Sequence, residues 1–116
     1  MSFLYGVIFT GAPENPTHHS RNVCIFAEGE VDRSATGSGV SARAGLHFSK
    51  GELSLNQPIV IESILGSTMT VEALEKTIFH GYEAVIPKVT GTASFVGKNE
   101  FWFDPTDPYR DGFIFR

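Results

Sequence analysis

One cysteine, one tryptophan, two methionines and only 19% charged residues are what this 116-residue sequence has little of. The single Cys24 cannot close an internal disulfide, and structural metal sites are built from clusters of ligands. A reducing compartment suits such a chain. No basic opening followed by an apolar run suggests a signal peptide, so the cytoplasm is the expected location. No stretch approaches the roughly twenty apolar residues of a membrane span. There is no Lys/Arg run, and the formal net charge is −4. Nucleic acid and anionic membrane are therefore not expected partners. His18, His19, His47 and His80 follow no metal-ligand spacing, so no metal is expected.

What is present is apolar and aromatic. Hydrophobic residues make up 41% of the chain, and ten Phe stand beside three Tyr. This is the composition of one globular domain with a modest core. Several aromatics sit in the terminal runs "SFLYGVIF" and "FWFDP…GFIF". Chain ends are usually polar and frayed. Two strand-like ends that need neighbours point to a fragment, or to a domain that requires a partner.

Phe3 to Thr10 reads as a strand, and Gly11 to Ser20 as a turn-rich loop. Asn22 to Ala27 is a short buried strand in which Cys24 is a small core residue. From Gly37 to about Lys50, Val40, Ala44 and Phe48 recur at helical spacing, after Ser34, Thr36 and Ser38 as possible caps. Ala42, Gly45 and Leu46 make the rest of that surface small and apolar, the mark of a buried helix. Pro58 to Leu65 is β-rich. Thr68 to Phe79 fits either state, and the alternation of Met69, Val71 and Ala73 favours a strand. Ala84 to Val89, Thr92 to Val96, Glu100 to Phe103 and Phe113 to Phe115 complete the expected strands. Gly97-Lys98-Asn99 forms a turn, and residues 104–112 a turn-rich connection. Many strands around one helix, without βαβ alternation, make an α+β fold. The expected form is a mixed or antiparallel sheet wrapped around a central buried helix.

The chemistry concentrates in "DRSATGSG", Asp32 to Gly39. A helix start offers unpaired N–H groups and a partial positive charge, and glycines let a ligand approach the backbone. Gly37, Ser38 and Gly39 thus suit a carboxylate or phosphate, and Asp32 suits an amine. Together they suit an amino acid. The same residues equally fit ordinary helix capping. They are neither a P-loop, since no Lys-Ser/Thr follows, nor a dinucleotide fingerprint.

"DRSATGSGVSAR", followed by "GELSLNQPIVIESILGS", "AVIPKVTGTASFVG" and "FDPTDPYRDGFIF", closely resembles the C-terminal half of the proline racemase family. The resemblance covers essentially the whole chain. That family comprises proline racemases, 4-hydroxyproline epimerases and trans-3-hydroxy-L-proline dehydratases. It implies the fold shared with diaminopimelate epimerase, in which two lobes each wrap a sheet around a helix. Substrate lies between the two helix starts, and no cofactor is used. Residues 1–116 would then be a single lobe, with the first lobe absent.

The resemblance also implies roles. Asp32 would bind the ring nitrogen of a proline-like substrate, and the Gly37 and Ser38 amides its carboxylate. Thr36 stands where racemases carry their second catalytic cysteine. A hydroxyl is too weak an acid to exchange roles with a thiolate near neutrality, which argues against two-face racemisation. Within the family, threonine at this position resembles the trans-3-hydroxy-L-proline dehydratases. Thr36 would then be a catalytic residue that faces the substrate and hydrogen-bonds it or assists the leaving hydroxyl. Arg33 and Arg43 flank the site region, and Arg33 is expected to anchor the loop rather than touch substrate. Glu62 and Ser63 lie on a strand near the pocket in relatives, where structural roles serve equally well. Trp102 reads as sheet packing. The first-lobe "Met-Cys-Gly-His" cysteine has no counterpart, so the chain alone is expected to be inactive: a fragment, a truncated product or one member of a split pair. The partner would be the missing lobe, or a second copy. The alternatives are a racemase or epimerase lobe, or a non-catalytic remnant that binds a small amino acid or merely self-associates.

Overall fold

The computed structural model describes residues 4–115. Phe3, the expected start of the first strand, lies outside them. The elements are β1 (Gly6–Gly11), β2 (Ser20–Phe26), β3 (Glu30–Val31), α1 (Gly37–Ser49), β4 (Ile59–Ser63), β5 (Thr68–Phe79) and β6 (Tyr82–Thr90). They form one mixed sheet in the order β1-β2-β4-β5-β6, with β3 beside β2. Among the described strands only the β2–β4 pairing is parallel, and an isolated bridge from Leu55 to Ala73 is parallel too. The fold is α+β, with one helix on one sheet, as the strand-rich pattern around a single helical segment requires.

Strand β2 is the centre of the arrangement. Along one edge it pairs with β1, from Gly6↔Phe26 to Gly11↔Arg21. Two elements share its remaining pairing. β4 takes Ser20 to Asn22, and β3 takes Ile25 and Phe26. Between them, the Asp32 N–H donates to the Cys24 carbonyl at 3.0 Å. The chain thus leaves the sheet at Asp32 and starts the helix five residues later.

Strand β5 takes the full span that its alternation favours. Val71 and Ala73 are buried and point toward the helix side. Its hairpin to β6 turns on His80 and Gly81, both at positive φ (49° and 84°), between the paired Phe79 and Tyr82. A two-residue turn of this kind matches the twist of the strands it joins. A register shift between Ala73 and Glu75 interrupts the ladder, and there Asn56 N–H donates to the Ala73 carbonyl at 2.8 Å.

The core is small. Ala35, Val40, Ala44, Leu53, Ile61 and Val71 form its buried cluster, with Ile59, Met69 and Val89 at the margin. The helix is covered on one side: Val40 and Ala44 are buried, whereas Ala42 is exposed and Leu46 is 49% exposed. A helix apolar all round needs cover all round, and within this chain the sheet reaches only part of it. The opposite side of β1 and β2 also bears exposed Val7, Phe9 and Ile25.

Residues 91–115 depart from expectation. Thr92 to Val96, Glu100 to Phe103 and Phe113 to Phe115 form no strand, and each of these residues is exposed. Trp102 is 84% exposed and packs on no sheet. A strand must pair its N–H and C=O groups with a neighbour, and these segments pair with none, although β1 and β6 are the edge strands of the sheet. Only the turns in residues 105–111 appear as expected.

Candidate functional site

The crossing from β3 to α1 builds the site. The Asp32 carboxylate accepts two bonds within its own loop. Oδ1 takes the Ser34 N–H at 2.8 Å, and Oδ2 takes the Thr36 hydroxyl at 2.9 Å. The Ser34 hydroxyl in turn accepts the Thr36 N–H at 3.0 Å. Burial works against ionising Asp32, but the bonds from Ser34 and Thr36, with Arg33 nearby, outweigh it and hold the carboxyl below its usual range. Asp32 is therefore an anion at neutral pH, tied to Thr36.

Thr36 occupies the N-cap position but does not cap. Its φ is 69° and ψ 93°, and its hydroxyl is turned to Asp32 rather than to the helix. Ser34 and Ser38 do not cap the helix either. The first intrahelical bond runs from the Val40 N–H to the Thr36 carbonyl at 2.8 Å. The amides of Gly37, Ser38 and Gly39 have no acceptor among the described residues, and no acidic residue occupies the first turn. A helix start left open in this way holds concentrated partial positive charge.

These groups border a cleft of about 530 Å³ lined by Tyr5, Gly6, Ile8, Cys24, Phe26, Asp32, Thr36, Ser38 and Gly39. A Cβ at Gly39 would meet the Cδ1 end of Ile8 on β1, so a larger residue there would push that side chain aside. The structure thus gathers Asp32, Thr36 and Ser38 on one cleft, with Gly37 between the last two. Cys24 sits on the same wall, buried in β2 as a core residue. A larger concavity of about 710 Å³ lies elsewhere, between the open side of α1 and the β5–β6 hairpin, and contains none of the candidate site residues.

The other residues singled out in the sequence have structural partners. Arg33 anchors the loop through its carbonyl, which accepts the Ser67 hydroxyl at 3.2 Å. Ser63 bonds to Ser67 at 2.8 Å and so shapes the β4–β5 turn. The Glu62 carboxylate is buried under the loop that precedes β2. It accepts the Glu14 and Asn15 N–H groups at 2.8 and 2.9 Å and meets His18 and Arg21. Those two N–H bonds first, then His18 and Arg21, pull its pKa down to about 2 against the effect of burial. His19 and His47 stack edge to face at 4.8 Å. Among the described residues, no three His, Cys, Asp or Glu side chains gather as metal ligands. Nor is any described helix long and apolar enough to cross a membrane.

Comparison with known proteins supplies the context. The family model described as proline racemase matches residues 1–114. The chain belongs to the proline racemase family. A trans-3-hydroxy-L-proline dehydratase from Colwellia psychrerythraea is 53% identical over 116 residues, covering 100% of this chain and 33% of that protein. A proline racemase from Clostridioides difficile is 42% identical over 104 residues, covering 90% of this chain and 31% of its own length. Among solved structures, a hydroxyproline epimerase from Agrobacterium vitis, with bound trans-4-hydroxy-L-proline, superposes with a TM-score of 0.76 at 31% identity. It covers 97% of this chain and 32% of that one. The chain spans about a third of the length of the curated relatives it matches.

Sequence reasoning about the site missed Tyr5, Ile8 and Phe26 on the cleft wall and Asn22 behind the loop; Arg43 was legible only as flanking the site. Ile8 and Phe26 are apolar positions of strands, and Tyr5 is an aromatic just before β1, with nothing in the sequence to tell them from core. Ser34 was legible only as a possible cap, yet it ties Asp32 to Thr36.

Proposed function

We propose that this chain is one lobe of a cofactor-independent trans-3-hydroxy-L-proline dehydratase, and that its cleft is half of the substrate site. The observation that carries this reading is the Thr36 hydroxyl held on the Asp32 carboxylate beside the open amides of Gly37 and Ser38. The amides suit the substrate carboxylate and would stabilise the charge that builds on it as the α-proton leaves. The Asp32 anion suits the ring ammonium. In this reaction the α-C–H bond breaks and its electrons form the C2–C3 double bond. The C3–O bond breaks, and the hydroxyl leaves with a proton as water. The resulting enamine tautomerises to Δ1-pyrroline-2-carboxylate.

Thr36 separates this chemistry from racemisation. Its hydroxyl stays protonated near neutrality and cannot act as a thiolate base on the second face. The base belongs to the other lobe, as the resemblance to the family implies. The small core and the exposed apolar sides of α1 and of β1–β2 suit a lobe that packs against more protein. The localisation that goes with this reading is cytoplasmic.

Complementation tests it. The two thirds of the Colwellia dehydratase that this chain does not match, mixed with this chain, are expected to consume trans-3-hydroxy-L-proline while neither part does so alone. A stable complex that consumes none refutes the dehydratase reading and favours a non-catalytic binding lobe. Exchange of the α-proton without loss of water favours the racemase or epimerase reading, which the Clostridioides and Agrobacterium relatives represent.

A further inference from the structure

Asn22 is fully buried in β2, and both ends of its amide are engaged. Nδ2 donates to the Ala35 carbonyl at 2.9 Å, and Oδ1 accepts from Arg43 Nη1 at 2.7 Å. The orientation of the amide follows from chemistry. A guanidinium has only donors, so the atom facing it must be Oδ1, and the amino group then meets a carbonyl. Arg43 is itself fixed. Nη1 also reaches Ser20 Oγ at 2.8 Å, and Nη2 lies 3.2 Å from His47 Nε2. On the far side of that ring, His47 Nδ1 meets Glu52 Oε2 at 2.6 Å.

The Ala35 carbonyl belongs to the peptide whose N–H is that of Thr36. Ser34 holds the N–H and Asn22 the carbonyl, so the peptide plane is fixed at both poles. Immediately beyond it lies Thr36 at φ 69°. A β-branched residue stays on that side of φ only where its surroundings over-determine it. Packing alone does not explain Asn22. A buried amide is costly unless both ends are bound, and an apolar side chain would fill the space without that cost.

We propose that Asn22 and Arg43 are positioning residues for Thr36. Acting through the Ala35 carbonyl, they fix the plane that aims the Thr36 hydroxyl at Asp32 and leaves the Gly37 and Ser38 amides open to the cleft. Neither touches the substrate. The inference rests on the reading of this cleft as half of a substrate site.

The test uses Asn22→Asp in the full chain. The carboxylate keeps and strengthens the contact with Arg43, but it cannot donate to Ala35. Amide and methyl NMR spectra are recorded for both proteins during titration with L-proline. In the variant, the Thr36 and Gly37 amides and the Thr36 methyl are expected to move while the β5–β6 hairpin signals stay in place. The proline-induced shifts at Gly37 and Ser38 should then need about tenfold more ligand, the equivalent of one lost hydrogen bond. If Asn22→Asp does not fold, Arg43→Lys carries the same test, since it keeps the charge and loses the fork. Unmoved Thr36 signals with unchanged proline binding overturn the inference alone. A wild-type chain whose Gly37 and Ser38 amides ignore proline overturns the substrate-site reading, and the inference with it.

Discussion

Replacing Thr36 by glycine and by alanine separates its backbone from its hydroxyl. Both variants lose the bond to Asp32. A hydrogen bond to a charged group contributes about 1.5–3 kcal/mol, and this partly exposed one belongs at the lower end, about 1.5 kcal/mol. Alanine keeps a Cβ at a φ of 69°, so the strain of the left-handed region remains. Glycine relieves that strain, about 1–2 kcal/mol, and gives back about 0.4–1 kcal/mol through the greater freedom of its unfolded chain. Thr36→Gly should therefore be more stable than Thr36→Ala by about 0.5–1 kcal/mol. For a domain of this size that is a difference in Tm of about 2–4 °C. Thermal unfolding followed by circular dichroism measures it. Thr36→Cys keeps the Cβ and should show no relief. If glycine is instead the less stable, as at an ordinary helix or strand position, the strained backbone at the head of the site is refuted.

Ile61 is the largest fully buried side chain among the described residues, and Ile61→Ala should cost about 2–5 kcal/mol in denaturant unfolding; a cost under about 1 kcal/mol would place Ile61 outside the core. Glu62 gives the acid response its shape. Its carboxylate is favoured in the fold, so the stabilisation is complete above its ordinary value of 4.5 and is lost as pH falls through about 2. Glu62→Gln should be less stable at neutrality and flatter over that interval, and an unchanged pH profile would contradict the burial of this anion. Removing residues 92–116 should leave Tm within about 2 °C, because residues 92–115 are exposed throughout. A larger fall would mean that the segment packs on the sheet.

How much of this was legible in the sequence follows the range of each interaction. The helix start at Gly37 and the span of β5 are local patterns, and both appear where periodicity puts them. The run Asp32 to Gly39 was legible as a group, because the loop closes on itself through Asp32, Ser34 and Thr36. Thr36 was misjudged in one respect: it looked like a cap, but the carboxylate four residues earlier captures its hydroxyl. The tail was misjudged for the opposite reason. "TASFV" and "EFWF" have the composition of strands, but a strand exists only against a neighbour, and composition does not say whether the same chain supplies one. Asn22 was invisible as an anchor of the site, and Arg43 was legible only as flanking it. They meet across twenty-one residues of sequence, and the seating of α1 on the sheet brings them together.

The most direct test of the central claim is proton NMR in D2O on the complemented enzyme with trans-3-hydroxy-L-proline, run for the wild-type chain and for Thr36→Cys. The wild-type lobe is predicted to yield Δ1-pyrroline-2-carboxylate with loss of the 3-hydroxyl. The cysteine variant should gain exchange at the α-carbon with the hydroxyl retained. Deuterium entering the α-position of both epimers with the wild-type lobe, and no loss of water, would contradict the account.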